Sequence, residues 1–213
     1  MIPVGVRAAG LTKRHANGFV LGPLDLEIVP GELVAVTGPP RGGRSTLLAV
    51  LAGWDAPDAG VIEWTVGSSA PSGAGAPAWN LLRVVPQNLA LLDELDVIEN
   101  VTFPTRVIGE PAPPDLDEVF DALGLQRLRT RNVDEISVGE RQRVMAARAL
   151  VGEPSLVLAD EPVAHQDARN ADAVVGLLRA RARAGGACVI ATRNTELAAR
   201  ADRVIDIQSV AAR

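Results

Sequence analysis

The chain has 213 residues, a formal net charge of −5, and 47% apolar against 3% aromatic residues. That length suffices for one domain with a sizeable core of Leu, Val and Ala, and the acidic balance argues against a nucleic-acid-coating role. The one cysteine, Cys188, permits no disulfide within the chain and suits the cytosol.

Met1-Ile2-Pro3-Val4 offers no charged leader before an apolar stretch, which predicts no signal peptide. No apolar run nears the roughly 20 residues that cross a bilayer, so any membrane role is expected to pass through a partner. Lys13 is the only lysine among 21 basic residues, so arginine has largely replaced lysine in this chain.

Val4 to Leu11, Phe19 to Leu21 and Leu24 to Ile28 read as short strands separated by Asn17-Gly18 and Gly22-Pro23 turns. Pro30-Gly31 closes this group, and Leu33 to Thr37 is a short apolar run of the buried-strand kind. Gly38-Pro39-Pro40-Arg41-Gly42-Gly43-Arg44-Ser45-Thr46 follows at once; then Leu47, Val50 and Leu51 recur as one face of a helix. Strand, glycine loop and helix is the setting in which such a loop can cradle phosphate. Glycines let successive N–H groups turn inward, and the helix N-terminus adds positive potential. Ser45 would offer its hydroxyl to a magnesium ion bridging the phosphates, and Arg44 would stand at the terminal phosphates where the pattern has lysine. A glycine turn without a ligand is the competing reading of the same residues.

Gly60 to Val66 alternates weakly and can join the first strands in a sheet, and Gly67 to Ala78 is a surface loop of Gly, Ala, Ser and Pro. Leu81 to Pro86 is a strand ending at Gln87. From Leu89 to Arg131 the pattern is helical, interrupted by Pro111-Ala112-Pro113-Pro114, with Asp115 as an N-cap. A further helix begins at Ile136 and runs through Val144, Ala147 and Leu150; Ser137 and Gly139 open it, either to meet an anion or as an ordinary cap.

Gly152-Glu153-Pro154 ends that helix, and Ser155 to Ala159 is a continuous apolar strand leading into Asp160-Glu161-Pro162. Acids at that end lie on the ligand-binding edge of a parallel sheet. Asp160 would hold magnesium and Glu161 would polarise an attacking water, or the two simply cap the strand. Ala171, Val174, Val175 and Leu178 mark an amphipathic helix, with Arg179, Arg181 and Arg183 on a solvated face and Gly185-Gly186 as its stop. Ala187 to Thr192 and Arg203 to Ile207 are the last strands, and Trp54, Trp64 and Trp79 read as packing or loop anchors. Strands alternating with helices predict an α/β chain with a mostly parallel sheet covered on both faces.

Taken in order, the phosphate loop, Gln87 after a strand, the Ser137/Gly139 segment, Asp160-Glu161-Pro162 and Asp167 resemble the ATP-binding subunits of ABC transporters over nearly the whole chain. The Ser-x-Gly-x-x-x-Arg segment just before the Asp-Glu strand is the specific part. Leu158-Ala159-Asp160-Glu161-Pro162 and Asp96-Val97-Ile98-Glu99-Asn100-Val101 look most like the lipoprotein-releasing and macrolide-export branch, which pairs with membrane permeases. The resemblance implies a P-loop NTPase fold with an N-terminal antiparallel β subdomain and a small helical lobe. It implies a single ABC ATP-binding domain over 1–213, the lobe at approximately 89–150.

It also implies ATP and Mg2+ as ligands. Gly38, Arg41, Gly42, Gly43, Arg44, Ser45 and Thr46 would surround the phosphates, and His15 sits where the family stacks an aromatic on adenine. Ser45, Gln87 and Asp160 would hold the metal; Glu161 and Arg193 would be catalytic, Arg193 standing where the family has a His at the terminal phosphate. Two such chains, like or unlike, would sandwich two ATP molecules head to tail. Ser137, Gly139 and Glu140 of one would close the phosphate loop of the other, and Asp167 would couple the sites. Gln87 would also sense the permease, whose coupling helix the lobe would receive at the cytoplasmic face of the plasma membrane.

The departures from the family pattern fall on working residues. Arg44 replaces Lys, Arg41 a third loop glycine, Val138 the first signature glycine, Glu140 a Gln, Arg193 a His and His15 an aromatic, while Pro40 removes an N–H. Guanidinium is larger and planar, so Lys to Arg is not conservative at a tight site, and Glu140 adds negative charge beside a triphosphate. The expectation is an ATP-binding transporter subunit with weakened hydrolysis, in which Arg44 and Arg193 jointly neutralise phosphate charge. The alternative is a near-inert nucleotide-binding partner that regulates a competent ABC ATPase.

Overall fold

The computed structural model describes residues 1–15, 18–69, 77–78 and 80–207. The turn expected at Asn17, most of the loop between Gly67 and Ala78, and Trp79 lie outside the described residues. In chain order the elements are β1 (Val4–Arg14), β2 (Val20–Ile28), β3 (Leu33–Thr37), α1 (Arg44–Leu51), β4 (Ala59–Val66), β5 (Leu82–Val85), α2 (Val97–Val107) and α3 (Leu116–Ala122). They continue with α4 (Val138–Leu150), β6 (Leu156–Asp160), α5 (Ala168–Arg183), β7 (Ala187–Ala191), α6 (Thr195–Ala198) and β8 (Arg203–Asp206).

Two sheets form. One is antiparallel, in the order β2-β1-β4; the other is parallel, in the order β5-β6-β7-β3-β8. In the parallel sheet, side chains alternate between two buried faces, as period-two geometry requires. Ala35, Val157 and Ile190 pack with Val144, Leu150, Val174 and Leu178 of α4 and α5. Val36, Leu158 and Val189 face the other way, against Leu47 and Leu51 of α1 and Val6, Ile28 and Trp64 of the antiparallel sheet. Cys188 lies on the α4–α5 face of the sheet; burial pushes its thiol up to about 12, so it packs as a small apolar residue.

Several expectations change. The Gly22-Pro23 turn does not form, and the two short strands expected around it are one strand, β2, whose pairing with β1 shifts register near Leu11. Cross-strand hydrogen bonding outweighs the local turn signal there. The helical run expected from Leu89 begins only at Val97, where Asp96 and Glu99 form a capping box. Trp64 is buried and donates to the Leu51 carbonyl at 3.3 Å, whereas Trp54 is largely exposed.

Asp115 does precede α3, but its carboxylate does not cap it. It accepts from the Gly152 N–H at 2.9 Å and from Arg181 at 2.9 Å, and so ties the α3 region to the end of α4 and to α5. Arg181 is therefore no solvated residue: its side chain is 11% exposed and also meets Glu153 and the Leu150 carbonyl. Arg179 likewise reaches the Arg200 carbonyl. Asp115→Ala is expected to strand part of a buried guanidinium and an N–H, lowering stability by about 2–3 kcal/mol. A thermal melt reads this as a Tm fall of roughly 5–10 °C.

Candidate active site

The strand order creates the site. β7 lies between β6 and β3, with Asp160 opposite Ala191 and Val36 opposite Ala191. The carboxyl ends of these strands therefore open onto one cleft, of about 660 Å³, at the edge where open α/β sheets bind ligands.

The loop between β3 and α1 supplies one wall. Gly43 precedes α1 at φ 91°, and a Cβ there would lie 2.8 Å from Cζ of Phe19, so both backbone and space demand glycine. Arg41 takes φ 58°, the conformation a glycine would adopt freely, at a cost of about 1 kcal/mol. α2, α4 and α5 each carry a side-chain cap, and α1 carries none. Its first N–H groups and its positive end thus face the cleft. His15 meets the Thr46 hydroxyl at 3.1 Å and packs its ring 5.6 Å from Phe19, which gives the cleft an aromatic side wall.

Arg44 lines the cleft, but its guanidinium turns back onto its own loop. Its Nη1 donates to the Gly38 carbonyl and, at 3.0 Å, to the Pro39 carbonyl, while Nη2 lies 3.7 Å from Oε1 of Glu161. The guanidinium thus lies across the mouth of its own loop. Its Nε is buried and has no hydrogen-bond partner among the described residues.

Glu161 is the centre of the charge network. Its backbone is held at φ 47° by its N–H to the Ala191 carbonyl at 2.9 Å. Oε2 accepts from the Thr192 hydroxyl at 3.0 Å; Oε1 accepts from the Arg193 N–H at 3.0 Å and from Arg193 Nε at 3.2 Å. Asp160 beside it is hydrogen-bonded by Ser45, and burial pushes its carboxyl above the ordinary value, opposed by that bond. Gln87 lines the same cleft.

The residues fit a nucleotide with its divalent ion. An uncapped helix, an orphaned buried Nε and two further guanidinium-bearing residues (Arg41 and Arg193) suit phosphate oxygens. A desolvated carboxylate with a hydroxyl and an amide beside it suits a hard cation.

His15, Arg41, Gly42, Gly43, Arg44, Ser45, Thr46, Gln87, Asp160, Glu161 and Arg193 are thus brought together, and Gly38 touches them through Arg44. Ser137, Gly139, Glu140 and Asp167 are not among them. Ser137 caps α4, and its N–H and hydroxyl each donate to Glu140 Oε2 at 2.8 Å, holding that carboxyl below its ordinary value. The charge expected to repel a triphosphate is thus partly absorbed by the helix end that carries it. Asp167 caps α5 through Asn170, and the neighbouring Gln166 joins this segment to α4 by donating to the Gly139 carbonyl at 2.7 Å. Sequence reasoning missed Phe19, Thr192 and Gln166. The contacts that bring them to the site, Phe19 against Gly43, Thr192 to Glu161 and Gln166 to Gly139, join residues more than 20 apart in the chain, beyond the reach of spacing or periodicity, whereas the Phe19–His15 ring contact is local.

The family described as "ABC transporter" matches residues 21–164. The chain is 35% identical over 207 residues to the lipoprotein-releasing system ATP-binding protein LolD of Bacteroides fragilis (strain YCH46), covering 94% of this chain and 96% of that protein. Its fold is similar to a dimeric, post-hydrolysis structure of the ATP-binding cassette MJ0796 bound to ADP and Pi, with TM-score 0.81 and 24% identity over 98% of this chain and 99% of that one. A structure of an ATP-binding subunit of an ABC transporter gives TM-score 0.82 at 20% identity, covering 95% of this chain and 85% of that one.

Glu161→Gln removes the anion that Arg44 and Arg193 pair with and keeps the side chain's shape. Calorimetry with pyrophosphate and no magnesium is expected to show about tenfold tighter binding, the worth of one released charge-assisted contact. Unchanged affinity would mean that Glu161 does not compete for those guanidiniums.

Proposed function

The chain belongs to the ABC transporter family and is an ABC-type ATPase, and from that premise we propose that it is the ATP-binding subunit of a transporter resembling the lipoprotein-releasing systems, coupling ATP binding and weakened hydrolysis to a partner membrane permease. The observation that carries the weakened part is the pairing of Glu161 with Arg44 and Arg193, the residues that replace the family's Lys and His. A base engaged by two guanidiniums and a loop bridged by its own arginine must both be opened before chemistry.

Residues 1–213 would act as one ABC domain, with the helices within 89–150 as the lobe that meets the permease. No helix among the described residues is long and apolar enough to cross a membrane, which suits a peripheral subunit at the cytoplasmic face of the plasma membrane. Ser45, Asp160 and Gln87 would hold magnesium, which supplies charge neutralisation to the phosphates when bound. Arg44 and Arg193 would turn from Glu161 to the terminal phosphate. A water oxygen would attack the terminal phosphorus as Glu161 takes its proton, and the bond to the bridging oxygen would break with its electron pair leaving on ADP. His15 would flank the adenine.

A second ATP-binding chain, like or unlike, would bring Ser137, Gly139 and Glu140 over the first chain's phosphates, with Asp167 between the sites. The capped end of α4 and its Gln166 link to the Asp167 segment support a single rigid face for that contact. The closed position of Arg44 also supports a second reading, a near-inert nucleotide-binding chain that regulates a competent ABC ATPase.

Phosphate release from Mg-ATP tests both. The purified chain is expected to turn over below about 1 per second, against roughly 1–10 per second for an ordinary enzyme, and Arg44→Lys to raise the rate several-fold. Ordinary turnover by the unmodified chain refutes the impairment. Nucleotide binding with no turnover in either form favours the regulatory reading.

A further inference from the structure

Thr192 is fully buried at the end of β7, and nothing in the phosphate-site pattern singles it out. Its N–H donates to the Val36 carbonyl at 3.0 Å, which fixes it to the strand that leads into the phosphate loop. Its hydroxyl receives the Asn194 N–H at 3.0 Å and lies 3.0 Å from Oε2 of Glu161. A backbone N–H can only donate, so the hydroxyl accepts from Asn194 and turns its own proton toward Glu161. The polarity of this chain of hydrogen bonds is thereby set by the backbone.

The two oxygens of Glu161 are held differently. Oε2 rests on the neutral, immobile Thr192, whereas Oε1 faces two cations as well as the Arg193 N–H. One cation, Arg193, has a side chain 62% exposed to solvent, so its pairing with Glu161 is not locked by packing. Incoming phosphates compete for both guanidiniums. Once these have turned away, the carboxylate keeps one neutral donor on each oxygen, the Thr192 hydroxyl and the Arg193 N–H. It is then free of cations yet still held in place to take a proton from water.

We propose that Thr192 is a positioning residue for ATP hydrolysis, its hydroxyl stationing Glu161 when nucleotide draws Arg44 and Arg193 away. The proposal rests on the ATPase reading above. Thr192→Val removes the donor and keeps the shape; Thr192→Ser keeps the donor.

The expected result is a kcat for Thr192→Val about 10–100-fold below the parent, the loss typical of a misplaced catalytic group. KM, and the Kd for ADP measured by calorimetry, should stay within about threefold, and Thr192→Ser should recover kcat to within about threefold of the parent. Should the valine variant fail to fold, Thr192→Ala is measured in its place. A kcat for the hydroxyl-free variant within threefold of the parent overturns the proposal. So does a shift of KM and ADP Kd in step with kcat, or a serine variant as slow as the valine one. A parent that binds ADP but releases no phosphate from ATP removes the role of Thr192 and leaves nucleotide binding standing. A parent that binds neither ADP nor ATP removes the ATPase reading itself.

Discussion

One buried carboxylate, that of Glu161, joins the ends of three parallel strands. It follows β6, it is gripped by the residues that follow β7, and it pairs with the arginine that follows β3. The strand order β6-β7-β3 makes this possible. If β6 and β3 were direct neighbours, Thr192 and Arg193 would have no place between the phosphate loop and the acid pair. The left-handed backbone of Glu161 is a local cost, and its N–H to Ala191 and its side-chain contacts over-determine it.

The two arginines in this network differ from the residues they replace in reach and in hydrogen-bonding capacity. A lysine ammonium is a point charge with nothing planar to align, and it can sit among phosphate oxygens. A guanidinium must satisfy several donors in a fixed plane. Arg44 does so only in part, turning Nη1 back to the Gly38 and Pro39 carbonyls while its Nε has no hydrogen-bond partner among the described residues; Pro39 and Pro40 also leave the loop without two N–H donors. The loop therefore offers fewer backbone donors than its length suggests, while the end of α1 carries no side-chain cap. The same chemistry pairs two of the cleft's guanidiniums, Arg44 and Arg193, with the protein's own Glu161.

A second acid, Glu140, lies outside the cleft lining, at the start of α4. There the carboxylate meets the Ser137 N–H and hydroxyl, so α4 begins with a closed capping box. Gln166 ties that helix start to the segment before α5, and Gln142 reaches from α4 to the Glu161 carbonyl at 3.4 Å. These hydrogen bonds link the start of α4 to the residues that border the cleft, although Ser137, Gly139 and Glu140 do not themselves line it.

The chain's own order of residues determined a good deal by itself. Apolar runs of strand length, the glycine loop ahead of Leu47, the acids closing Leu156–Asp160 and the period of α5 announced a parallel α/β sheet with a phosphate loop, because these are local signals: burial pattern, backbone freedom and charge at a strand end. Composition could not reveal that Gly22-Pro23 lies inside a strand, that Asp115 anchors Arg181 rather than capping α3, or that Arg44 folds back on its loop. Nor could it reveal that Thr192 holds Glu161. Each of those depends on partners brought near by strand pairing and helix packing, and a hydrogen bond is decided by distance in space, which neighbours along the chain do not record.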